Sequence, residues 1–187
     1  MTRIVAGRWG GRALRTPDGT TTRPTNSKVR AALGNSLQAS GALVGASVLD
    51  LFAGTGALGL ELASRGAERV VLVENDREAL AIVRANVATL DAGGTVTVVP
   101  SSALTYAGAG SGGAGFDIVV ADPPYDLPNE DLTAMLRGLV AHGLLNPHAD
   151  LVVERARRTA DLEWPEPLAA ERSKRYGDTV LLFGRAP

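Results

Sequence analysis

The run ADPPYDLP, residues 121–128, sets a carboxylate, two prolines and an aromatic ring directly after the apolar stretch FDIVV. These residue types could act on an amine. An exocyclic amine on a nucleobase is a poor nucleophile, because its lone pair is delocalised into the ring. Two acceptors taking both of its hydrogens, the Asp122 carboxylate and the Pro123 carbonyl, would favour the pyramidal amine that attacks. The prolines fix φ and carry no amide donor, so they hold the turn rigid and leave its carbonyls free. Tyr125 offers a ring face on which an extruded base could stack. On its own the run also fits a strand-ending turn with Tyr125 as a lid over the core.

A second constellation is D50-L-F-A-G54-T-G56-A-L-G59, with Glu74 at the end of the next apolar run, 20 residues beyond Gly54. Gly54, Gly56 and Gly59 fit G-x-G-x-x-G, in which glycines allow a tight turn and close backbone approach to a ligand, while the later acid binds ribose hydroxyls. The plainer alternative is a glycine turn that only packs helix against strand. A nicotinamide dinucleotide would need its pyrophosphate at the following helix N-terminus, and Asp50 places a carboxylate beside that position. A cation such as the amino group or sulfonium of S-adenosylmethionine suits it better, unless Asp50 merely caps loop amides.

Alternating apolar elements must position these residues. Strands are predicted at 46–52, 69–75, 95–100, 116–122 and 149–155, with helices at 56–66, 76–90 (Asp76 as N-cap) and 129–143 between them. Continuous apolar strands joined by helices predict a Rossmann-like, doubly wound α/β sheet, mostly parallel. The segment LAAERSKRYGDTVLLFGR adds an antiparallel C-terminal hairpin turning at Gly177-Asp178, which makes seven strands. The N-terminus reads as two short strands turning at Gly10-Gly11, followed by a helix from about Asn26 to Gln38. Residues 1–40 are thus expected to form a basic extension and 41–187 the main domain. AGAGSGGAG, 107–115, reads as a flexible loop. Ligands of such sheets sit outside the carboxyl ends of the strands, so the 121–128 run and the glycine loop should face one crevice.

The 187 residues contain no cysteine and only His142 and His148, so neither disulfides nor thiolate or histidine metal sites are expected. His142 reads as a helix-end neighbour, and Tyr176 and Phe183 as packing. The opening is too polar for a signal peptide and no apolar run reaches membrane-span length, so a soluble cytoplasmic protein is expected. The formal net charge of -1 hides a segregation: residues 1–30 carry seven basic side chains against Asp18 alone, whereas residues 31–150 carry 5 basic and 13 acidic ones. A basic arm bearing Arg3, Arg8, Arg12 and Arg15 beside an acidic body points to a polyanion contact. Trp9 on that arm could stack on bases or fold back as core.

The D-x-F-x-G-x-G-x-x-G segment resembles the first motif of class I S-adenosylmethionine-dependent methyltransferases. That likeness implies a cofactor site of Asp50, Phe52, Gly54, Gly56, Gly59, Glu74 and Asn75, with Ser102 and Ala103 against the adenine, where many such enzymes carry an acid. DPPY matches [D/N]-P-P-[Y/F/W], the amino-methyltransferase signature. Over nearly its whole length the chain resembles the bacterial small-subunit ribosomal RNA guanine-N2 methyltransferases, the RsmD family, through RIVAGRWGGRALRTP, TRPTNSKVRAALGNSL, LDLFAGTGALGLELASRGA, VLVENDREAL, DPPY, VVERARR and RYGDTVLLFGR. The resemblance implies methylation of the N2 amine of one guanine in small-subunit ribosomal RNA, by a monomer, on naked RNA or within an assembling subunit. It assigns Asp122, Pro123 and Tyr125 to catalysis and Arg3, Arg8, Trp9, Arg12, Arg15, Arg23 and Thr25 to RNA. The motifs themselves also fit an adenine-N6 methyltransferase on DNA, an NAD-dependent oxidoreductase or a non-catalytic RNA-binding module.

Overall fold

The computed structural model describes residues 2–17, 24–110, 113–159 and 161–187, with backbone alone for 24–26. A two-stranded hairpin, β1 (Thr2–Arg3) and β2 (Ala13–Leu14), precedes helix α1 (Pro24–Ala39). Five parallel strands follow, β3 (Ser47–Asp50), β4 (Arg69–Glu74), β5 (Val96–Pro100), β6 (Phe116–Ala121) and β7 (Leu145–Ala156). They are joined by α2 (Ala57–Ser64), α3 (Arg77–Thr89), α4 (Ala103–Ala109) and α5 (Asn129–Ala141). The chain closes with the antiparallel pair β8 (Ala169–Tyr176) and β9 (Thr179–Arg185), giving a seven-stranded sheet in the order β5-β4-β3-β6-β7-β9-β8. The winding direction reverses between β3 and β6, so the loops leaving those two strands diverge and open a crevice at their carboxyl ends.

The two-residue period of the strands divides the core into two layers. Val48, Val120 and Val152 pack with α1, α2 and α3 through Val29, Leu33, Leu60 and Val83. Leu49, Val119 and Val153 face the other way, onto Ala103 and Ala107 of α4 and Leu132, Met135 and Leu136 of α5. The doubly wound architecture is as the alternation predicted, and Asp76 is the N-cap of α3, accepting the Ala79 amide at 2.8 Å.

One local expectation fails. Residues 107–109, read as loop, belong to α4. Ser102 caps that helix by accepting the Thr105 amide at 3.1 Å. A Cβ on Gly138 of α5 would come within 3.0 Å of the Ala107 carbonyl, so α4 lies tight against α5. Small residues here serve close helix packing rather than flexibility. Strand β7 also begins earlier than predicted, because Phe116 pairs with Leu145 before the register shifts at Ile118.

The N-terminal segment shares the first core layer through Ile4, Leu14, Val29, Leu33 and Leu37. Residue 40 therefore separates sequence regions but not cores. Its anchor is Glu61 of α2, which is fully buried. Its carboxylate accepts the amides of Val5 and Ala6 at 2.6 and 3.1 Å and Arg65 Nε at 2.6 Å, with Arg30 Nε at 4.0 Å. Replacing Glu61 with Ala strands two amides and a buried guanidinium. We expect Glu61→Ala to cost about 3–5 kcal/mol in denaturant unfolding, because breaking a buried pair leaves an uncompensated charge, and to speed proteolysis within residues 2–17. A change below about 1 kcal/mol, the range of exposed ion pairs, would contradict this anchoring role.

Candidate active site

Three neighbouring strands deliver carboxylates to the same end and face of the sheet. Asp50 is the last residue of β3, and Asp122 directly follows β6. The parallel pairing of Ala121 with Val153 places Asp122 beside Glu154. Each of the three lies two residues beyond a valine of the first core layer, Val48, Val120 or Val152, so all three point to that face.

Beside them the glycine loop turns into α2. Gly56 adopts φ 79, a conformation that disfavours any side chain. A Cβ on Gly59 would collide with the Leu72 side chain, so this glycine sets the close contact of helix and strand. The Gly59 amide donates to Asp50 Oδ2 at 3.1 Å, and Glu74 Oε2 accepts the Gly54 amide at 2.7 Å. Glu74 Oε1 accepts the amides of Asn75 and Asp76 at 2.8 and 2.7 Å. Asp50, only 1% exposed, therefore does brace the loop, as its capping alternative required, while also lining the cavity.

That cavity, about 580 Å³, is lined by Asp50, Phe52, Gly54, Glu74, Asn75, Asp122, Pro123 and Tyr125, and by Thr2, Ser27, Arg30, Asp76 and Glu154 among others. A hollow of about 310 Å³ adjoins it, sharing Phe52, Glu74 and Asn75 and adding Ser102 and Ala103. Tyr125 is 41% exposed and stands between the main cavity and a groove lined by Ala156, Arg157, Arg158 and Asp178. Buried Arg155 steadies the loop that carries Tyr125 by donating to the Leu127 carbonyl at 2.9 Å.

The lining is electrostatically one-sided. Asp50, Glu74, Asp76, Asp122 and Glu154 face the cavity, with Arg30 the single cation lining it among the described residues. Desolvation, with Asp122 and Glu74 nearby as lesser causes, pushes Asp50 up to about 7 despite the Gly59 hydrogen bond. Desolvation alone raises Asp122 to about 6 even though its side chain opens onto the cavity. Desolvation and then the Asp122 charge raise Glu154 to about 7.

The structure thus brings the expected catalytic residues and the cofactor residues Asp50, Phe52, Gly54, Glu74 and Asn75 together, with Gly56 and Gly59 forming the wall behind and Ser102 and Ala103 in the adjoining hollow. The basic arm is disposed differently. Arg12 donates to the Thr89 carbonyl at 2.8 Å and Arg8 to Thr95 Oγ1 at 2.9 Å, both at the amino-terminal edge of the sheet. Helix α3, about 20 Å long, separates that edge from the cavity. Arg8 also covers the Trp9 ring, 4.0 Å from its centroid, and Trp9 packs on the core, the second of its two readings. Arg3 donates to the Gly11 carbonyl at 2.9 Å. The Arg15 amide donates to buried Asn86 at 2.7 Å, and Asn86 in turn donates to the Thr55 carbonyl of the glycine loop at 2.9 Å. Thr25 lies in the first turn of α1. Arg23 lies outside the described residues. Sequence reasoning missed Ser27, Arg30, Glu154, Arg157 and Arg158. The acid Glu154 two residues past Val152, at a strand's carboxyl end, was a signal of the same kind as Asp50 and Asp122.

The residues present fit S-adenosylmethionine. A sulfonium and an ammonium group would meet the uncompensated carboxylates, whereas a pyrophosphate would meet five of them. With Oε1 taken by two amides and Oε2 by one, Glu74 Oε2 keeps one lone pair for a ribose hydroxyl. Nothing lies within 4 Å of where a Gly54 side chain would start, so the loop keeps an open floor.

The raised carboxyl values carry a sign. Between the ordinary carboxyl range near pH 4 and about pH 7, the folded protein binds more protons than the unfolded chain. The stability those protons lend is present below that window and lost as the pH rises through it. Asp122→Asn removes one of the three sites, so its melting temperature should fall less steeply across the window than the wild type's. Equal slopes would contradict the crowding of these groups.

Known proteins resemble the chain closely. The family model described as Conserved hypothetical protein 95 matches residues 2–185. The Escherichia coli protein named ribosomal RNA small subunit methyltransferase D is 43% identical over 123 residues, which are 66% of this chain and 60% of that relative's length. A solved Escherichia coli structure, described provisionally as the methyltransferase yhhF, superposes with a TM-score of 0.84 at 34% identity, covering 98% of this chain and 97% of its own. The fold alone is shared with the Synechocystis magnesium protoporphyrin IX methyltransferase solved with bound S-adenosylmethionine, with a TM-score of 0.71, 19% identity and 91% and 87% of the two chains covered. With the match spanning residues 2–185, the chain belongs to the Conserved hypothetical protein 95 family, the RsmD family of methyltransferases.

Proposed function

We propose that this protein transfers the methyl group of S-adenosylmethionine to the exocyclic N2 amine of one guanine in small-subunit ribosomal RNA. The observation that carries the reading is the single cavity in which the glycine loop and Glu74 face the Asp122-Pro123-Pro124-Tyr125 turn. The name of the Escherichia coli relative supports ribosomal RNA as substrate. The whole-length likeness to RsmD proteins supports guanine N2.

When bound, S-adenosylmethionine supplies an electrophilic methyl group on a sulfonium. Glu74 and Asn75 would hold its ribose, Ser102 and Ala103 would border its adenine, and Asp50 and Asp122 would favour its positive charge. Asp122 and the Pro123 carbonyl accept the two amine hydrogens and aim the nitrogen lone pair at the methyl. Asp122, with its value near 6, takes up the proton that the amine sheds on transfer. Tyr125 stacks on the extruded base.

The groove beyond Tyr125 suits the flanking RNA backbone, since Arg157 and Arg158 line it. The basic arm, about one helix length from the cavity, suits a more distant stretch of the same RNA. Contacts of this sort give affinity but little base readout, so an assembling subunit, acted on in the cytoplasm by a monomer, suits the enzyme better than naked RNA.

In a methyl-transfer assay with small-subunit RNA or subunits, Asp122→Ala should lower turnover about 100-fold or more while leaving RNA affinity nearly unchanged. RNA binding by the wild type without transfer would indicate the non-catalytic module, and label in duplex DNA adenine the rival substrate. The double variant Arg157→Glu, Arg158→Glu should weaken RNA binding and lower the steepness of its salt dependence by about two counterions. An unchanged salt dependence would remove the groove from the RNA path.

A further inference from the structure

Glu154 is the one strand-end carboxylate that the mechanism above leaves unused. Its Oε1 is buried and has no hydrogen-bond partner among the described residues. A buried acceptor without a donor is costly and calls for a partner, here one that enters the cavity. Two ligands enter it, and the strand order separates them. Glu74 on β4 and Asp50 on β3 serve the cofactor side, Asp122 on β6 is central, and Glu154 on β7 lies beyond it. Glu154 therefore neighbours the base and not the ribose.

Resting on the guanine-N2 reading, we propose that Glu154 accepts the N1–H of the target guanine and so determines the choice of base. On a guanine edge the N2 amine and the N1–H are adjacent donors. Neighbouring strands lie about 4.8 Å apart, and Asp122 and Glu154 stand side by side on them, so two carboxylates can take two adjacent donors. Adenine presents its amine beside an unprotonated ring nitrogen. With the Asp122 turn holding that amine, the ring lone pair would point at the Glu154 carboxylate, acceptor against acceptor. A site built to bond one donor rejects an analogue lacking it far better than a shape-based pocket does. Glu154 thus supplies the guanine specificity that the Asp-Pro-Pro-Tyr turn, competent for any exocyclic amine, lacks.

The test, run at a pH well above the Glu154 value of about 7 so that the group is ionised, uses small-subunit RNA carrying either guanine or 2-aminopurine at the methylated position. 2-Aminopurine keeps the amine but replaces N1–H with a lone pair. Wild-type enzyme should favour guanine by about 10-fold or more in kcat/KM, the discrimination expected of one specific base contact. Glu154→Gln can donate its amide hydrogen to the bare ring nitrogen, so its preference should narrow by about 10-fold or reverse. Glu154→Ala should lose the preference without gaining on 2-aminopurine. Equal wild-type rates on the two bases would overturn the assignment whether or not any variant folds, as would an unchanged ratio in folded Glu154→Gln. Transfer to neither base by the wild type would instead overturn the guanine-N2 reading, and the assignment with it.

Discussion

Three carboxyl groups on adjacent strand ends share one face of the sheet with too little water to ionise freely together. Asp50, Asp122 and Glu154 are brought there by parallel register, and among the described residues Arg30 is the one cation lining the cavity with them. Much of the site follows from this concentration of negative charge. It disfavours a pyrophosphate, favours a cationic methyl donor and, in the proposed reaction, supplies acceptors for an amine that must lose one proton. Backbone amides of the glycine loop and its neighbours offset part of it: Gly59 donates to Asp50, while Gly54, Asn75 and Asp76 donate to Glu74.

The N-terminal segment is tied into the same construction by two buried polar side chains. Glu61 gathers the amides of Val5 and Ala6 with Arg65. Asn86 bridges Arg15 to the Thr55 carbonyl of the glycine loop. The arm is thus a brace for the cofactor loop as well as a carrier of charge, and α1 extends from it to place Ser27 and Arg30 at the cavity. Structural support and a share of the cavity lining are combined in one segment.

The architecture was readable in the sequence because parallel strands buried on both sides leave continuous apolar runs, and because glycines, prolines and terminal acids mark the carboxyl ends. Asp76 as helix cap and the Gly177-Asp178 hairpin were legible on the same local grounds. Helix α4 was not, since Ala107, Gly108 and Ala109 carry the composition of a flexible loop and become helical through packing on Gly138, a partner 31 residues from Ala107. The direction of the basic arm was equally hidden. Charge along a chain does not say which end of a sheet it reaches, and Arg8 and Arg12 bond at the edge away from the cavity. Glu154 was overlooked because ERARR reads as a charged strand terminus until its register with Asp122 is known.

The central claim, an amine on one guanine meeting a methyl donor over Asp122, is tested most directly by mass spectrometry of small-subunit ribosomal RNA from cells with and without the protein. The account predicts loss of a single N2-methylguanosine, restored by the wild-type chain and not by Asp122→Ala. An unchanged set of methylated guanosines, or the loss of a methylated base other than N2-methylguanine, would contradict it.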